Sequence, residues 1–142
     1  AAPAAAAPNA AVTDRATFFS NAQFQAIWQD LEKRQVINQR VVEGGKYSIN
    51  VRIVKPTDAP LVHGTSADVW VVTAGSATAV TGGKLLNQKQ RPNADDIEGT
   101  AIEGGSEHAV AAGDIEFVPP GVPHAFKDLK GFRAFLIRFE TK

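Results

Sequence analysis

The stretch GDIEFVPPGVPH, residues 113–124, decides how the chain is read. Two glycines, three prolines and a histidine surround one short apolar run. Gly113-Asp114 permits a tight turn into a strand. Along that strand Ile115 and Phe117 point one way, Glu116 and Val118 the other. Pro119 and Pro120 remove two backbone donors, so the segment cannot continue as an ordinary central strand. Gly121 supplies a backbone conformation that most residues avoid. His124 is then delivered on a rigid corner at the start of the next strand, HAFKDL. A rigid corner is where a ligating side chain is mounted when geometry matters.

A second histidine sits in LVHGTSADVWVVTAG, residues 61–75. His63 and Thr65 are two apart, hence on one face of a strand. Asp68 follows after a short Ser-Ala turn, and Gly75 ends the next strand. The third histidine, His108 in SEHAV, reads as an exposed strand residue near the sheet surface.

Working outward, GKYSINVRIV (45–54) alternates, with Tyr47, Ile49, Val51 and Ile53 on one face and Ser48, Asn50 and Arg52 on the other. DVWVVTAG and SATAVTGG are two strand-like runs with Gly75 between them. SEHAVAAGDIEFV and GFRAFLIRFE supply more strands. Several short strands with turn signals between them predict an all-β sandwich or barrel. The polar, Gly-rich segment from Gly82 to Gly105 reads as a lid or binding loop. Its Asp95, Asp96 and Glu98 read as a solvated acidic face. Upstream, in ATFFSNAQFQAIWQDLEKRQ (16–35), Ser20 with Gln23 forms a capping-box pattern, and Phe19 with Phe24 a hydrophobic staple. Phe24, Ile27, Trp28 and Leu31 recur at helical spacing, which predicts a helix from about Asn21 to Gln35.

Composition narrows the functions. Fifteen basic residues balance fifteen acidic ones, so nothing in the charge favours nucleic acid or an anionic membrane. Absence of cysteine excludes thiol catalysis, thiolate metal sites and disulfides. No apolar run reaches the roughly 18 residues of a membrane span. A chain of 142 residues suits one domain, taken as 14–142 after an Ala/Pro-rich tail over 1–13. The tail looks like what remains after signal-peptide removal, so a periplasmic or secreted location is expected, with a cytoplasmic chain as the alternative.

Gly113, Pro119, Gly121 and His124 stand at the offsets of the second motif of the cupin family, with Asp128 where that motif ends in Asn. The first cupin motif, His-x-His followed by Glu and then Gly, is matched in part by His63, Asp68 and Gly75, with Thr65 in place of the second histidine. Over roughly Tyr47 to Phe139 the chain resembles a cupin. The resemblance implies a double-stranded β-helix, or jelly-roll, barrel, here with an N-terminal α-helix. It implies a divalent metal inside, held by His63, Asp68 and His124. Two imidazoles and a carboxylate suit Fe, Mn, Ni or Zn and leave positions for water and substrate. Thr65, Tyr47, Trp70 and Phe126 are the residues expected to line a substrate pocket. Arg52 and Arg138 fall on polar strand faces and read as solvated surface, with pairing to an anionic substrate as the alternative. Cupins of this size often pair through their sheets, so a homodimer is expected.

The functional expectation is a metal-dependent enzyme of oxygenase, isomerase or lyase type, acting on a small polar organic substrate. The alternative is a metal-free, non-catalytic barrel that binds a small molecule, its histidines satisfied by Thr65, Asp68 or water. A structural or accessory subunit is a third reading.

Overall fold

The structure, a computed structural model, describes residues 10–92 and 95–142. The first nine residues of the expected tail lie outside them. The elements in chain order are α1 (Asn21–Arg34), β1 (Asn38–Glu43), β2 (Tyr47–Ile53), β3 (Leu61–His63), β4 (Ser66–Thr81), β5 (Lys84–Leu86), β6 (Lys89–Gln90), β7 (Asp96–Glu98), β8 (Ala101–Glu103), β9 (Ser106–Ala111), β10 (Ile115–Val118) and β11 (His124–Glu140).

Two long strands organise the barrel. β4 and β11 pair antiparallel from His124↔Thr81 at one end to Glu140↔Ser66 at the other. The first half of β4 is flanked by β10, and the second half by β9. The second half of β11 is flanked by β2, which carries β1 at the edge, and its start is joined to β3 and then β7 and β6. Trp70 and Ala79 are nine residues apart on β4, about 30 Å if the strand were straight. Yet Phe126, the register partner of Ala79, meets Trp70 edge-to-face at 4.8 Å. The strand pair therefore folds over on itself, and its two halves become opposite walls around one core. Trp70, Val72, Ala77, Ala79, Val110 and Leu136 pack in that core.

The fold-over is set by backbone. Gly75 has φ +69, and a Cβ there would lie 2.2 Å from the carbonyl oxygen of Lys130. Opposite it the register of β11 shifts on both sides of Lys130. Only a glycine lets the two strands approach so closely at the bend.

The helix forms as the sequence predicts, one residue shorter at its C-terminus. The Ser20 hydroxyl accepts the Gln23 backbone N–H, and the Gln23 side chain accepts that of Ser20. Gln35, at φ 59, ends the helix. Its apolar stripe covers the outer face of β1, β2 and β11, burying Trp28, Leu31, Val41, Val51 and Ile53 in a second cluster. Phe24 and Trp28 both meet the Phe135 ring, at 4.6 and 5.0 Å. The Trp28 indole N–H donates to the Arg52 carbonyl at 3.0 Å. Ahead of the helix, Ala11 bridges Val42 on the outer edge of β1. Among the described residues no helix is long and apolar enough to cross a membrane.

One expectation is corrected. The segment from Gly82 to Gly105 is not an open loop among its described residues. β5 pairs with β8, and β7 pairs with both β3 and β6, so most of the segment is built into the wall. Its backbone polar groups find partners in these ladders, which a free polar loop would leave to solvent.

The bend makes a direct test available. Gly82 also has positive φ but nothing within 4 Å of an added Cβ. Gly82→Ala should cost about 1–2 kcal/mol, the ordinary left-handed penalty. Gly75→Ala should cost clearly more in urea unfolding, because its methyl meets two backbone carbonyls. Equal losses would contradict the close approach at the bend.

Candidate functional site

Register places the polar residues on the inward face. Ser48, Arg138 and Asp68 are directly paired neighbours across β2, β11 and β4, as are Asn50, Leu136 and Trp70 one step along and Arg52, Ala134 and Val72 two steps along. The face of β2 that reads as polar in the sequence therefore points into the barrel. Its apolar face, Ile49, Val51 and Ile53, points out under α1. This overturns the assignment of Arg52 and Arg138 to solvated surface. The physical reason is that the helix claims the apolar face, and the interior at this end is left to polar groups.

His63 ends β3 and His124 begins β11. The Pro-Pro-Gly corner joins them: Gly121, at φ +81, donates its N–H to the His63 carbonyl at 2.7 Å. Asp68 faces the Nε2 atoms of both rings and is completely buried. Its Oδ2 is 3.1 Å from His63 Nε2 and 3.5 Å from His124 Nε2. The other ring nitrogens are held from behind. His63 Nδ1 is 2.6 Å from Asp96 Oδ1, and His124 Nδ1 is 3.2 Å from the Val122 carbonyl. A carbonyl can only accept, and a carboxylate beside a neutral ring does the same. Both Nδ1 atoms therefore carry a proton, and both Nε2 atoms are turned to Asp68, to which a protonated ring donates and beside which a neutral ring keeps its lone pair.

Arg138 completes the cluster. Its Nε donates to Asp68 Oδ1 at 2.7 Å and its Nη2 to Oδ2 at 3.2 Å, a forked ion pair. Nη2 also lies 3.0 Å from His63 Nε2. Burial by itself would raise the Asp68 carboxyl. The hydrogen bonds from His124, His63 and Arg138 and the charge of Arg138 outweigh it and hold Asp68 well below the usual carboxylate range. Burial pulls His63 down and the Arg138 charge adds to that pull, but the hydrogen bond to Asp68 and the charge of Asp68, helped by the hydrogen bond to Asp96, win and raise it.

Beside this cluster Arg52, Trp70, His124, Phe126 and Arg138 line a small, solvent-open pocket of about 50 Å³. The Arg52 guanidinium sits 5.1 Å from the Trp70 ring centre. Burial pushes Arg52 down to about 10, against the pull of Asp58 and with the charge of Arg138. The Trp70 indole N–H is the buried side-chain donor left without a partner among the described residues. On the other side of Arg138 a polar cleft of about 180 Å³ opens between Arg40, Tyr47, Asp96 and Glu140.

Of the residues singled out in the sequence, the structure brings His63, Asp68 and His124 together, and it lines the inner pocket with Trp70 and Phe126. Two pocket expectations are corrected. Tyr47 lies on the outward face, is 47% exposed, and flanks the outer cleft with its ring against Gly44. Thr65 turns to the rim, where its hydroxyl lies 2.7 Å from Glu140 and 2.9 Å from Asp95. His108 is exposed, 2.6 Å from Glu116. The acidic run was not all solvated: Asp96 is buried behind His63. Asp96, Arg138 and Arg52 are the residues that the sequence reading places on the surface, with pairing to an anionic substrate as the alternative for the two arginines. The period-2 row containing Asn50 and Arg52 was the available signal for the arginines, once the helix is seen to need the other face.

The donor set fits a divalent ion. Ligands at about 2.1 Å from one ion lie about 3.0 Å apart at right angles and about 3.4 Å apart at tetrahedral angles. The 3.1 and 3.5 Å spacings around Asp68 Oδ2 match this, and one ligand atom from each residue lies within 4.8 Å of the others. The back-side partners on Nδ1 are those that a metal-bound histidine needs.

No protein-family model and no curated protein matches the chain. Solved structures do match. A conserved protein with a double-stranded β-helix domain from Klebsiella pneumoniae is 21% identical over 75% of this chain and 77% of its own, with a TM-score of 0.53. A Bacillus halodurans protein is 12% identical over 91% of this chain and 85% of its own, with a TM-score of 0.57. A Streptococcus pyogenes protein is 15% identical over 75% of each chain, with a TM-score of 0.51. At these identities the likeness shows the fold.

The raised His63 predicts a pH dependence of the chelator-treated protein. A fold that favours protonated His63 draws full stabilisation from it below the unfolded value of about 6.5 and loses it as pH rises through the raised folded value. Asp68 stays ionised throughout that window. Melting temperature should fall between pH 6 and pH 8.5 on the order of a few degrees, and His63→Gln should flatten the fall. An equal slope in both proteins would contradict the coupling of His63 to Asp68.

Proposed function

From the cupin-type double-stranded β-helix fold that the chain shares with those structures, we propose a metal-dependent barrel that acts on a small organic anion. His63, Asp68 and His124 hold a divalent first-row ion such as Fe, Mn, Ni or Zn. The observation that carries this reading is the pair of back-side contacts, Asp96 on His63 and the Val122 carbonyl on His124, which turn both Nε2 atoms towards Asp68. When bound, the metal supplies Lewis-acid activation of a substrate oxygen or of water, chemistry used in oxygenation, isomerisation and lyase reactions.

The chain's own residues define the rest. Arg52 and Arg138 face the pocket as cations and suit a carboxylate or phenolate. Trp70 and Phe126, edge-to-face at 4.8 Å, form an aromatic wall that excludes water and lies against an apolar substrate body. The Trp70 indole N–H stands ready for an acceptor that moves against it. Asp96 fixes the tautomer and orientation of His63 without touching substrate.

A second reading has its own observation. Arg138 already answers Asp68 with a cation, which suits a metal-free barrel that only binds a small anion. Metal content separates the two. The purified, untagged protein should take up one Zn²⁺ or Mn²⁺ per chain, and His124→Ala should weaken uptake by at least about tenfold. Stoichiometric binding unchanged by His124→Ala would remove this site from the metal reading. Absence of binding in the wild type and in variants of the cluster would favour the metal-free barrel.

A further inference from the structure

Asp68 is completely buried, and the group that neutralises it is Arg138, which reaches it from the far end of the strand that begins with His124. The same guanidinium does more than pair with the carboxylate. Nη2 lies 3.0 Å from His63 Nε2 and 3.2 Å from Asp68 Oδ2, two atoms that are themselves 3.1 Å apart. The three atoms form a nearly equilateral triangle. An ion bonded to both His63 Nε2 and Asp68 Oδ2 at about 2.1 Å would lie within about 4 Å of Nη2 whichever way it sat. A dication and a guanidinium so close beside the fully buried Asp68 repel more strongly than they would in bulk water. In the neutral ring they also compete for one lone pair, since His63 Nε2 can accept from Arg138 or ligate a metal but cannot do both.

Space for the alternative position exists on either side. Arg138 lines both the inner pocket, with Arg52 and Trp70, and the outer cleft, with Asp96 and Glu140. It is the side chain at the boundary between them.

We propose that Arg138 is an internal cation that occupies the metal position of the free protein and must leave it when a metal enters. Arg138 and the metal hold Asp68 and His63 in alternation. Arg138 is thus a determinant of metal affinity, although it is not a ligand. Metal entry frees its guanidinium to face the pocket, where an anionic group on a substrate is its natural partner. This rests on the metal reading of His63, Asp68 and His124, and it adds a residue whose chemistry opposes that of a ligand.

The test is Zn²⁺ affinity, measured by competition with a chelating dye at fixed pH, for the wild type and Arg138→Gln. Removing a ligand, or merely loosening the fold, weakens binding; removing a competitor tightens it. Arg138→Gln should bind Zn²⁺ about tenfold more tightly or better, within the range of ordinary coupling between sites. Equal or weaker binding overturns the proposal. Binding by the variant alone supports it. Failure of both proteins to bind Zn²⁺ overturns the metal reading and this inference with it, which is distinct from equal binding, where the metal reading stands. If Arg138→Gln does not fold, the wild type supplies the answer. The Arg138 Nε–H signal in ¹⁵N spectra should lose its protection from hydrogen exchange when Zn²⁺ is added. Retained protection in the Zn²⁺-bound protein overturns the proposal.

Discussion

A carboxylate with no access to solvent must be answered by cations or by donors, and Asp68 sets that demand at the centre of this barrel. Two strands converge to meet it. β3 ends in His63, β11 begins with His124, and the same β11 brings Arg138 opposite Asp68 near its other end, two residues before its last pair with β4 at Glu140↔Ser66. The fold-over at Gly75 makes this convergence available, because it brings the two ends of one strand pair onto opposite walls of one core. Without the bend, His124 and Arg138 would sit at opposite ends of an extended ribbon, about 45 Å apart.

The polarity of the barrel follows from the same economy of surfaces. A β-strand offers two faces, and β2 gives its apolar one to α1. What remains for the interior is Ser48, Asn50 and Arg52, and each needs a partner there. Asn50 finds the Ser48 hydroxyl and the Leu136 carbonyl. Arg52 spreads over the Trp70 ring. The N-terminal helix therefore does more than cap an edge. By taking the hydrophobic face of the sheet it turns an arginine into the pocket and gives the interior its cationic character.

Much of this was legible in the residues, and the limits have physical causes. The corner at 113–124 reads correctly because glycine and proline constrain backbone locally, whatever surrounds them. The capping box at Ser20 and Gln23 reads for the same reason. Faces of strands are another matter. Period-2 alternation separates two faces but does not say which turns inward, and the usual assumption of apolar-in fails when a helix covers the outside. Tyr47 and Arg52 were exchanged for that reason. Asp96 was illegible because its partner, His63, is 33 residues away and the pairing of β3 with β7 brings them together. Short strands such as β7 carry too few residues for any periodicity to show.

Thr65 gives the last step. In the cupin pattern that position holds an imidazole, which would add a third neutral nitrogen to the cluster. A threonine hydroxyl does not reach so far, and here it turns to Glu140 and Asp95 at the rim. Asp68 is then left with two imidazoles and a full negative charge in a dry setting. Arg138 supplies the missing donor and the missing charge in one planar group, through the forked pair that only a guanidinium makes. A buried ion pair seldom improves on a well-packed apolar pair for stability alone. Its presence at the focus of two histidines, with open space on both sides of the arginine, is better explained by what the site exchanges than by what it holds together.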